Sequence, residues 1–385
     1  MSTIMISCGE PSGDLYAGAL ATEIRRLDAG AHVFGFGGER LRAAGADLVG
    51  DYPGLTVTGL VEALRVLPRS LDMYRRLVRA ARERRPDVLV VIDFPDFNFR
   101  LAGTINRLGI PVVYYVPPQL WAWRRGRVRT IRRLVQRVLV IFPFEERIYR
   151  EAGVRVDFVG HPLLDLARAE EPREPFLSRL GLRPELSTVA LLPGSRPNEL
   201  ARIVPVLAKA AALVSARLGD AQFVVARAPN LDQGLFSPFD ILSGFPLAIV
   251  ESKADDVLAA ADVAITASGT ATVQAAIHLC PMVVVYRLAP LTYHLGRRFV
   301  HVDTFGMVNL VAGRKIVPEL IQDDFTPEAV AGEVMGLLTD RQRAETTRAE
   351  LSRVVSRLGA PGASSRAAEI VLRIARREGP ETNRL

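Results

Sequence analysis

The chain has 385 residues, of which 49% are hydrophobic and 24% charged, and its formal net charge is +7. This composition is typical of a folded protein of two or three domains, and it excludes a disordered chain, a collagen and a coiled-coil rod. The two cysteines, Cys8 and Cys280, are too few for a disulfide framework and favour a reducing compartment.

The longest hydrophobic runs have the length of strands, whereas a membrane-spanning helix needs roughly 18 apolar residues. Residues 3–8 form one such run. No basic stretch precedes it, so it is typical of a first buried strand rather than a signal peptide. We therefore expect a cytoplasmic location, with any membrane contact made from the cytoplasmic side.

In the first part of the chain, short apolar runs alternate with amphipathic stretches. The runs predict strands at 3–8, 32–35, 88–93, 112–116 and 138–142. Helical spacing of apolar residues is found at 15–27, 71–85 and 101–108. Strands and helices in series are typical of βαβ units, whose parallel sheet is buried on both faces.

The segment 167–187 contains three prolines and many charged residues, which predicts a linker between domains. The alternation then restarts, with strands predicted at 188–192, 222–226, 248–250, 263–266 and 282–286. Helices are predicted between these strands and towards the C-terminus, at 200–218, 256–260, 271–279, 327–338, 341–358 and 363–377.

We therefore expect an α/β fold of two Rossmann-like, doubly wound parallel-sheet domains that face a cleft. The first domain is predicted to span residues 1–166 and the second 167–345, with the C-terminal helices of 346–385 packing back on the first domain or on a partner. Ligands of such sheets bind beyond the carboxyl ends of the strands, so the cleft is the expected site.

The loop Cys8–Asp14, with the sequence CGEPSGD, stands between the first predicted strand and helix. Gly9 and Gly13 allow close approach of a ligand, and the helix start offers free N–H groups to an anion. A tight turn without a ligand is the alternative. The loop lacks the glycine spacing of a dinucleotide-binding fingerprint.

Asp93 comes directly after the apolar run 88–92. Its carboxylate would lie at the carboxyl end of a parallel strand, where it could accept a proton from a hydroxyl nucleophile. A helix cap is the alternative for Asp93. Asp96 follows Pro95 and is more typical of a turn or cap.

Both tryptophans, Trp121 and Trp123, lie with Gln119 in the segment 114–124. Aromatic rings, an amide and flanking arginines suit a sugar or acyl-lipid surface, and packing at a domain edge is the alternative. As a platform for stacking nucleic-acid bases the segment is weak, because its pattern is not repeated.

Two loops in the second half have the pattern of phosphate cradles. Gly194 and Ser195 end a predicted strand, Arg196 supplies a guanidinium fork, and Glu199 stands at a helix start. The segment Ser268–Thr272 follows another strand and opens another helix. Capped helices without a ligand are the alternative for both loops.

The five histidines show no metal-ligand spacing, so no zinc site is predicted. The stretch 55–85 combines apolar residues with many arginines. Such a surface can lie on anionic lipid, although a core-packed helix with a solvated arginine face explains the same pattern.

Taken together, these motifs resemble the lipid-A-disaccharide synthase family, glycosyltransferases of the GT-B fold. The resemblance runs through nearly the whole chain, in Gly9–Asp14, Ile92–Asn98, Tyr114–Arg124, Leu139–Glu146, Phe158–Asp165, Leu191–Arg196, Ser268–Thr272 and Val317–Gln322. It implies an inverting transfer from UDP-2,3-diacylglucosamine to 2,3-diacylglucosamine 1-phosphate. The new bond is β-1,6, UDP is released, and no metal or other cofactor takes part.

The resemblance also implies roles for residues. Asp93 becomes the catalytic base. The residues expected to bind the donor and its UDP are Gly194, Ser195, Arg196, Glu199, Ser268, Gly269, Thr270, Ala271, Thr272, Gln274, Asn309 and Gln322. The acceptor and its loop are expected to involve Glu10, Ser12, Gly13, Asp14, Gln119 and Trp121. With acylated substrates, the basic stretch is expected to contact the inner-membrane surface, and a homodimer that swaps C-terminal segments is implied; nucleic acid is not an expected partner.

Three positions depart from the family pattern. Gln274 stands where the family usually has Glu, a residue that in GT-B enzymes commonly holds the ribose hydroxyls. Val308-Asn309 replaces a Pro-Asn pair, and Pro117 stands where Ser is usual. None of these changes removes the predicted base or a predicted phosphate ligand.

Two other functions fit parts of the pattern. A UDP-sugar 2-epimerase would share the nucleotide cradle but would lack an acyl-binding surface. A basic, non-enzymatic protein that binds membrane or nucleic acid would explain the arginines, but not the two phosphate cradles or the strand-end Asp93.

Overall fold

A computed structural model describes residues 1–52, 60–118, 128–229, 231–287 and 304–377. For residues 60–66 it describes the backbone only. The chain forms two compact units. The N-terminal unit comprises Met1–Pro162 together with Leu358–Leu385, and the C-terminal unit comprises Leu163–Arg357.

The N-terminal unit is built on a seven-stranded sheet. Its strands are β1 Thr3–Cys8, β2 His32–Gly37, β3 Asp47–Asp51, β4 Val88–Ile92, β5 Val112–Tyr115, β6 Arg137–Val140 and β7 Val156–Phe158. Its helices up to residue 162 include α1 Pro11–Leu27, α2 Glu39–Ala43, α3 Leu60–Arg84, α4 Pro95–Arg107, α5 Val128–Leu134 and α6 Pro143–Glu151.

The strands of this sheet are parallel and run in the order β3-β2-β1-β4-β5-β6-β7. Every residue of β4 and β5 is buried, because helices cover both faces of a sheet made from βαβ units. The chain builds outwards from β1 through β2 and β3, and then continues on the other side of β1 with β4. The point between β1 and β4 is therefore the topological switch point of the sheet.

The C-terminal unit repeats this plan with a six-stranded sheet in the order β10-β9-β8-β11-β12-β13. Its strands are β8 Ser187–Leu192, β9 Ala221–Arg227, β10 Leu247–Glu251, β11 Val263–Ala267, β12 Met282–Tyr286 and β13 Glu319–Ile321. Its helices include α7 Leu163–Leu166, α8 Arg173–Arg179, α9 Pro197–Leu218, α10 Ala254–Ala260, α11 Thr270–Ile277, α12 Met307–Ala312, α13 Pro327–Thr339 and α14 Arg341–Arg357, and a 3-10 helix covers Gln233–Leu242.

In this second sheet the switch point lies between β8 and β11, which are parallel neighbours. The predicted α/β fold with two parallel sheets is confirmed. Each sheet has one switch point, and a ligand is expected at the carboxyl ends of the strands on either side of it.

The proline-rich segment 167–187 contains a helix rather than only a linker. Pro172 caps α8 and Pro175 lies in its first turn, where the backbone N–H groups have no intrahelical acceptor and proline is tolerated. Phe176 and Leu177 are fully buried, and the Arg173 guanidinium donates to the Asp262 carboxylate at 2.9 and 3.1 Å. The prediction of a linker here is therefore wrong, because these prolines begin a packed helix.

The last described helix, α15 Ala363–Ala375, belongs to the N-terminal unit and packs against α1. Arg376 forms a salt bridge with Asp28 at 3.0 Å, and this hydrogen bond lowers the pKa of the Asp28 carboxyl. Arg366 donates to the Val159 carbonyl oxygen at 2.9 Å. The last described helix is thus fastened to the unit that the beginning of the chain builds.

Within the described ranges, none of the helices combines the length and the apolar character needed to cross a membrane.

Candidate active site

The loops after β1 and β4 lie side by side at the switch point of the first sheet. Cys8 at the end of β1 pairs with Ile92 at the end of β4, so residues 9–14 and 93–98 leave the sheet at the same edge. A Cβ atom added to Gly9 would lie 2.3 Å from the Phe94 ring. The two loops therefore pack so closely that position 9 needs glycine.

Asp93 has an unusual backbone conformation. It and Phe94 have φ angles of 47° and 48°, in the left-handed region that is uncommon for residues other than glycine. The Asp93 carbonyl oxygen accepts hydrogen bonds from Asn98 Nδ2 at 2.8 Å and from the Tyr114 hydroxyl at 2.9 Å, and its N–H donates to the Val116 carbonyl at 3.2 Å. Strained residues that their surroundings hold in this way cluster at functional sites.

Asn98, which sequence analysis included in a motif but did not single out, is fully buried beneath this loop. Its Oδ1 accepts from the Ser7 hydroxyl at 2.8 Å, and its Nδ2 also approaches the Ile92 carbonyl oxygen at 3.2 Å. One amide therefore ties the ends of β1 and β4 to the backbone of Asp93. The position of Asn98 in the motif 92–98 was its only signal in the sequence, since its hydrogen-bond partners come from two strands.

Asp14 lies at the same edge, and its carboxylate is hydrogen-bonded within the unit. Its carboxylate accepts hydrogen bonds from the backbone N–H groups of Gly38 at 2.7 Å, Arg40 at 2.9 Å and Leu41 at 3.2 Å, and so caps α2. Burial raises the pKa of the neighbouring Cys8 thiol, and the charges of Asp14 and Asp93 raise it further. A raised pKa disfavours the thiolate form of Cys8, the form that acts as a nucleophile.

The remaining residues of the predicted acceptor loop begin α1. Glu10 is the N-cap residue, Pro11 is the first helical residue, and Ser12 is half-buried. A Cβ atom on Gly13 would approach the Cβ of Cys8 to 3.3 Å, so this turn is tightly packed. Gln119 and Trp121, predicted to contact the acceptor, lie outside the described residues.

His161 is buried in the N-terminal unit between the rings of Tyr16 and Phe142, whose centroids lie 6.1 and 5.1 Å from its own. Burial lowers the pKa of His161 to about 3. The folded protein therefore does not bind a proton that the unfolded chain takes up near pH 6.5. The contribution of His161 to the free energy of unfolding is fully present above that pH. It is lost as the pH falls towards 3, at up to about 1.4 kcal/mol per pH unit.

We expect His161→Phe to make the free energy of unfolding less dependent on pH between pH 6 and 4. The measurement is denaturant-induced unfolding at several pH values. His32→Gln is the matched control, because His32 is exposed and its replacement should leave the slope unchanged. Equal slopes for His161→Phe and the wild-type protein would contradict the assignment.

In the C-terminal unit, the loop after β8 turns sharply into α9. Gly194 has a φ angle of 110°, which favours glycine, and Ser195 follows it. Arg196 is the N-cap residue of α9, and its guanidinium donates to Glu199 Oε1 at 3.1 Å. The hydroxyl of Tyr286, at the end of β12, donates to the same oxygen at 3.1 Å. Glu199 therefore positions Arg196, whose side chain remains 39% exposed.

The loop after β11 opens α11 on the other side of this switch point. Gly269 has a φ angle of 148°, and a Cβ atom there would have open space around it. The Ser268 hydroxyl donates to the Phe305 carbonyl oxygen at 3.0 Å, and the Thr272 hydroxyl donates to the Gly269 carbonyl oxygen at 2.8 Å. These bonds fix the loop while the first N–H groups of α11, at Thr270 and Ala271, have no acceptor within the helix. An anion can bind there.

Asn309 is fully buried, and its amide is used within the unit. Its Oδ1 accepts from the N–H groups of Ile316 at 2.7 Å and Val317 at 3.1 Å, and its Nδ2 donates to Glu319 Oε1 at 2.7 Å. Glu319 in turn accepts from the N–H groups of Phe305 and Gly306 before α12. Asn309 and Glu319 together hold the loops on both sides of α12, and sequence analysis did not identify Glu319.

Gln274 and Gln322 complete the predicted donor set. Gln274 lies on α11, and its Nε2 is 3.2 Å from both carboxylate oxygens of Asp255. Gln322 follows β13 with a φ angle of 55°, and its carbonyl oxygen accepts from Arg287 Nη2 at 3.1 Å. In the described part of the chain, no group of three or more His, Cys, Asp or Glu side chains is arranged to hold a metal ion.

Two doubly wound sheets, each with a glycine-containing loop at its switch point, define the fold of GT-B glycosyltransferases. The calicheamicin glycosyltransferase CalG4 has this fold, with a TM-score of 0.63 and 18% identity over 99% of this chain and all of that chain. UDP-GlcNAc 2-epimerase from Neisseria meningitidis, solved with UDP-GlcNAc, matches with a TM-score of 0.68 at 12% identity over 97% of this chain and 100% of that chain. At these identities the likeness concerns the fold alone.

The family described as lipid-A-disaccharide synthetase matches residues 4–374. The lipid-A-disaccharide synthase of Anaeromyxobacter sp. (strain K) is 46% identical over 374 residues, which cover 97% of each chain. That of Koribacter versatilis is 44% identical over 98% of this chain and 100% of its own. The chain belongs to the lipid-A-disaccharide synthase family, and the resemblance found in its motifs is confirmed.

Proposed function

We propose that the chain joins UDP-2,3-diacylglucosamine to 2,3-diacylglucosamine 1-phosphate, forming the β-1,6-linked disaccharide 1-phosphate of lipid A and UDP. Membership of the family supports the reaction. The roles proposed for individual residues rest on one observation, which is the position of three loops at the switch points of the two sheets. Asp93 follows β4 at one switch point, and the loops at 194–196 and 268–272 flank the other.

The transfer needs a base for the acceptor. The Asp93 carboxylate accepts the proton of the acceptor's 6-hydroxyl while that oxygen attacks the anomeric carbon of the donor sugar. The bond between this carbon and the β-phosphate oxygen of UDP breaks, and UDP takes the electron pair. Attack on the face opposite the leaving group inverts the anomeric centre.

The leaving UDP needs compensation for its growing negative charge. The N–H groups of Thr270 and Ala271, at the start of α11, supply a positive dipole end without a change in geometry. Arg196, which Glu199 holds at 3.1 Å, adds a full positive charge on a planar fork that suits a diphosphate. The two units therefore divide the chemistry, with the base in one and the leaving-group site in the other.

Release of UDP from UDP-2,3-diacylglucosamine, measured with and without 2,3-diacylglucosamine 1-phosphate, tests the reaction. We expect release that depends on the acceptor and a disaccharide 1-phosphate as product. UDP-GlcNAc without acyl chains serves as the control donor. Folded protein that binds UDP but releases none with this pair of substrates would contradict the proposal.

A UDP-sugar 2-epimerase remains only a distant alternative. The structural likeness to such epimerases comes at 12% identity, whereas the synthases are 42–46% identical over nearly the whole chain. Conversion of UDP-GlcNAc in the absence of any acceptor would favour the epimerase, and we expect none.

We also propose that the N-terminal unit contacts the cytoplasmic face of the inner membrane, where acylated substrates reside. A cavity of ≈ 800 Å³ runs along α4 between α3 and α5, and Arg100, Arg107 and Arg133 line it with Asp96. The Arg100 guanidinium lies 5.0 Å from the centre of the Tyr74 ring. This excess of positive charge beside the basic helix α3 suits the phosphates of anionic lipids.

Replacing Arg100, Arg107 and Arg133 together by serine is expected to weaken binding to anionic vesicles about a hundredfold, since each basic residue near such a surface contributes about 1 kcal/mol. Sedimentation with vesicles containing phosphatidylglycerol measures this binding. The control replaces Arg183, Arg341 and Arg353 by serine, which removes the same charge from exposed sites in the C-terminal unit. Equal losses in the two variants would indicate an effect of net charge alone.

A homodimer is a further proposal, supported by the family resemblance. Analytical ultracentrifugation of the full chain tests it, and a species of one chain only, at all concentrations, would contradict it.

A further inference from the structure

Three side chains from two helices meet beside the nucleotide loop of the C-terminal unit. Asp255 lies in the first turn of α10, Gln274 lies on α11, and His278, one turn further on, is the C-cap residue of α11. Gln274 Nε2 is 3.2 Å from both oxygens of the Asp255 carboxylate, and His278 Nε2 is 2.9 Å from Oδ1. Asp255 and His278 are mostly buried, with side chains 22% and 11% exposed.

This geometry fixes the direction of the Gln274 amide. A carboxylate only accepts hydrogen bonds, so the NH₂ group of Gln274 must face Asp255 and its Oε1 must face away. Among the described residues, Gln274 donates to Asp255, and no group donates to its Oε1. Gln274 thus presents an oriented acceptor, whereas an amide without Asp255 could present either atom.

The amide oxygen of Gln274 lies on the side of α11 where the ribose of a bound nucleotide would follow its diphosphate. Gln274 is four residues after Thr270, so the two lie on one face of α11. Helical side chains lean towards the N-terminus, which brings the Gln274 amide over the turn that begins with Thr270. A diphosphate at the N–H groups of Thr270 and Ala271 would place the attached ribose within reach of this amide. Ribose hydroxyls are hydrogen-bond donors and need an acceptor.

We propose that Asp255 is a positioning residue for the nucleotide, because it turns Oε1 of Gln274 towards a ribose hydroxyl of UDP. His278 also holds the Asp255 carboxylate, at Oδ1. The inference rests on the proposed function, which assigns UDP to this loop. It also accounts for glutamine at position 274, because a glutamate there would place a second negative charge beside the Asp255 carboxylate.

The test compares UDP with 2′,3′-dideoxy-UDP, which lacks both ribose hydroxyls. Calorimetry without any acceptor gives the Kd of each nucleotide. We expect the wild-type protein to bind UDP about tenfold more tightly than the dideoxy nucleotide, as one hydrogen bond implies. In Asp255→Ala this ratio should fall below about threefold, while the Kd of the dideoxy nucleotide stays nearly unchanged.

Exchanging the amide at position 274 with the carboxylate at position 255 provides a sharper test. Gln274→Glu alone should weaken UDP binding about tenfold, because two carboxylates then share the site. Gln274→Glu combined with Asp255→Asn restores one carboxylate and one amide, and the ratio between the nucleotides should return. Asp256→Asn is the control on the same helix, since Asp256 instead accepts from the N–H groups of Glu170 and Glu171.

A wild-type ratio in Asp255→Ala, or no recovery in the exchanged pair, would overturn the inference. Melting temperatures of all variants show whether a lost ratio accompanies a loss of folded protein, and the recovery in the exchanged pair cannot arise from misfolding. Failure of the wild-type protein to bind UDP would overturn the proposed function itself, and this inference with it.

Discussion

Asp93→Asn is expected to lower kcat at least about a hundredfold, while the Kd of UDP stays within about twofold of the wild-type value. The amide cannot accept the proton of the acceptor's hydroxyl, so the loss falls on the chemical step. Asparagine is the best replacement because it tolerates the left-handed conformation that Asp93 adopts, with its φ angle of 47°. Asp93→Ala should also abolish turnover, but alanine adds backbone strain of about 1–2 kcal/mol.

Steady-state kinetics with both acylated substrates, together with calorimetry of UDP, separates these effects. Asp96→Asn is the matched control, since Asp96 is an exposed carboxylate in the first turn of the same helix, α4. Its kcat should remain near that of the wild-type protein. Near wild-type turnover in Asp93→Asn would show that Asp93 is not the base.

Arg196→Gln is expected to reduce kcat/KM for the donor about a hundredfold, because the loss of one preorganised charge at a leaving group costs this much. Glutamine keeps a polar side chain, but it is shorter than arginine and has no charge for the diphosphate. Arg196→Lys should recover only part of the loss, since an ammonium cannot reproduce the fork that Glu199 orients.

The measurement is the initial rate at several donor concentrations, with UDP affinity from calorimetry. Arg202→Gln serves as control, because Arg202 lies on the same helix, α9, and donates to the Asn198 carbonyl oxygen at 2.5 Å. If Arg196→Gln and Arg202→Gln had equal kcat/KM, the assignment of Arg196 to the leaving group would be refuted.

The fold followed from the sequence because a parallel sheet buried on both faces leaves a plain pattern. Each continuous apolar run, such as 88–92, is a strand whose carboxyl end faces the ligand side of the sheet. The position of Asp93 at such a strand end could therefore be predicted. Arg196 and the loop 268–272 were found in the same way. The prolines of 167–187 led to the wrong prediction of a linker, since a proline in the first turn of a helix and a proline in a linker give the same local sequence pattern.

The contacts between distant residues could not be predicted. The amide atoms of Asn309, for example, bond with residues 316, 317 and 319. The bond between Gln274 and Asp255 joins two helices, and Asp14, in the first turn of α1, caps the separate helix α2. Such bonds depend on how elements pack, a property that periodicity along one element does not contain.

The return of α15 to the N-terminal unit has a consequence for synthesis of the protein. Residues 1–162 leave the ribosome first, but the helix that covers α1 is made only after the whole C-terminal unit, Leu163–Arg357, has been translated. At about 5–20 residues per second, this delay lasts on the order of ten to forty seconds. During that time the nascent chain carries an uncovered apolar face on α1, so the unit that begins folding first is completed last.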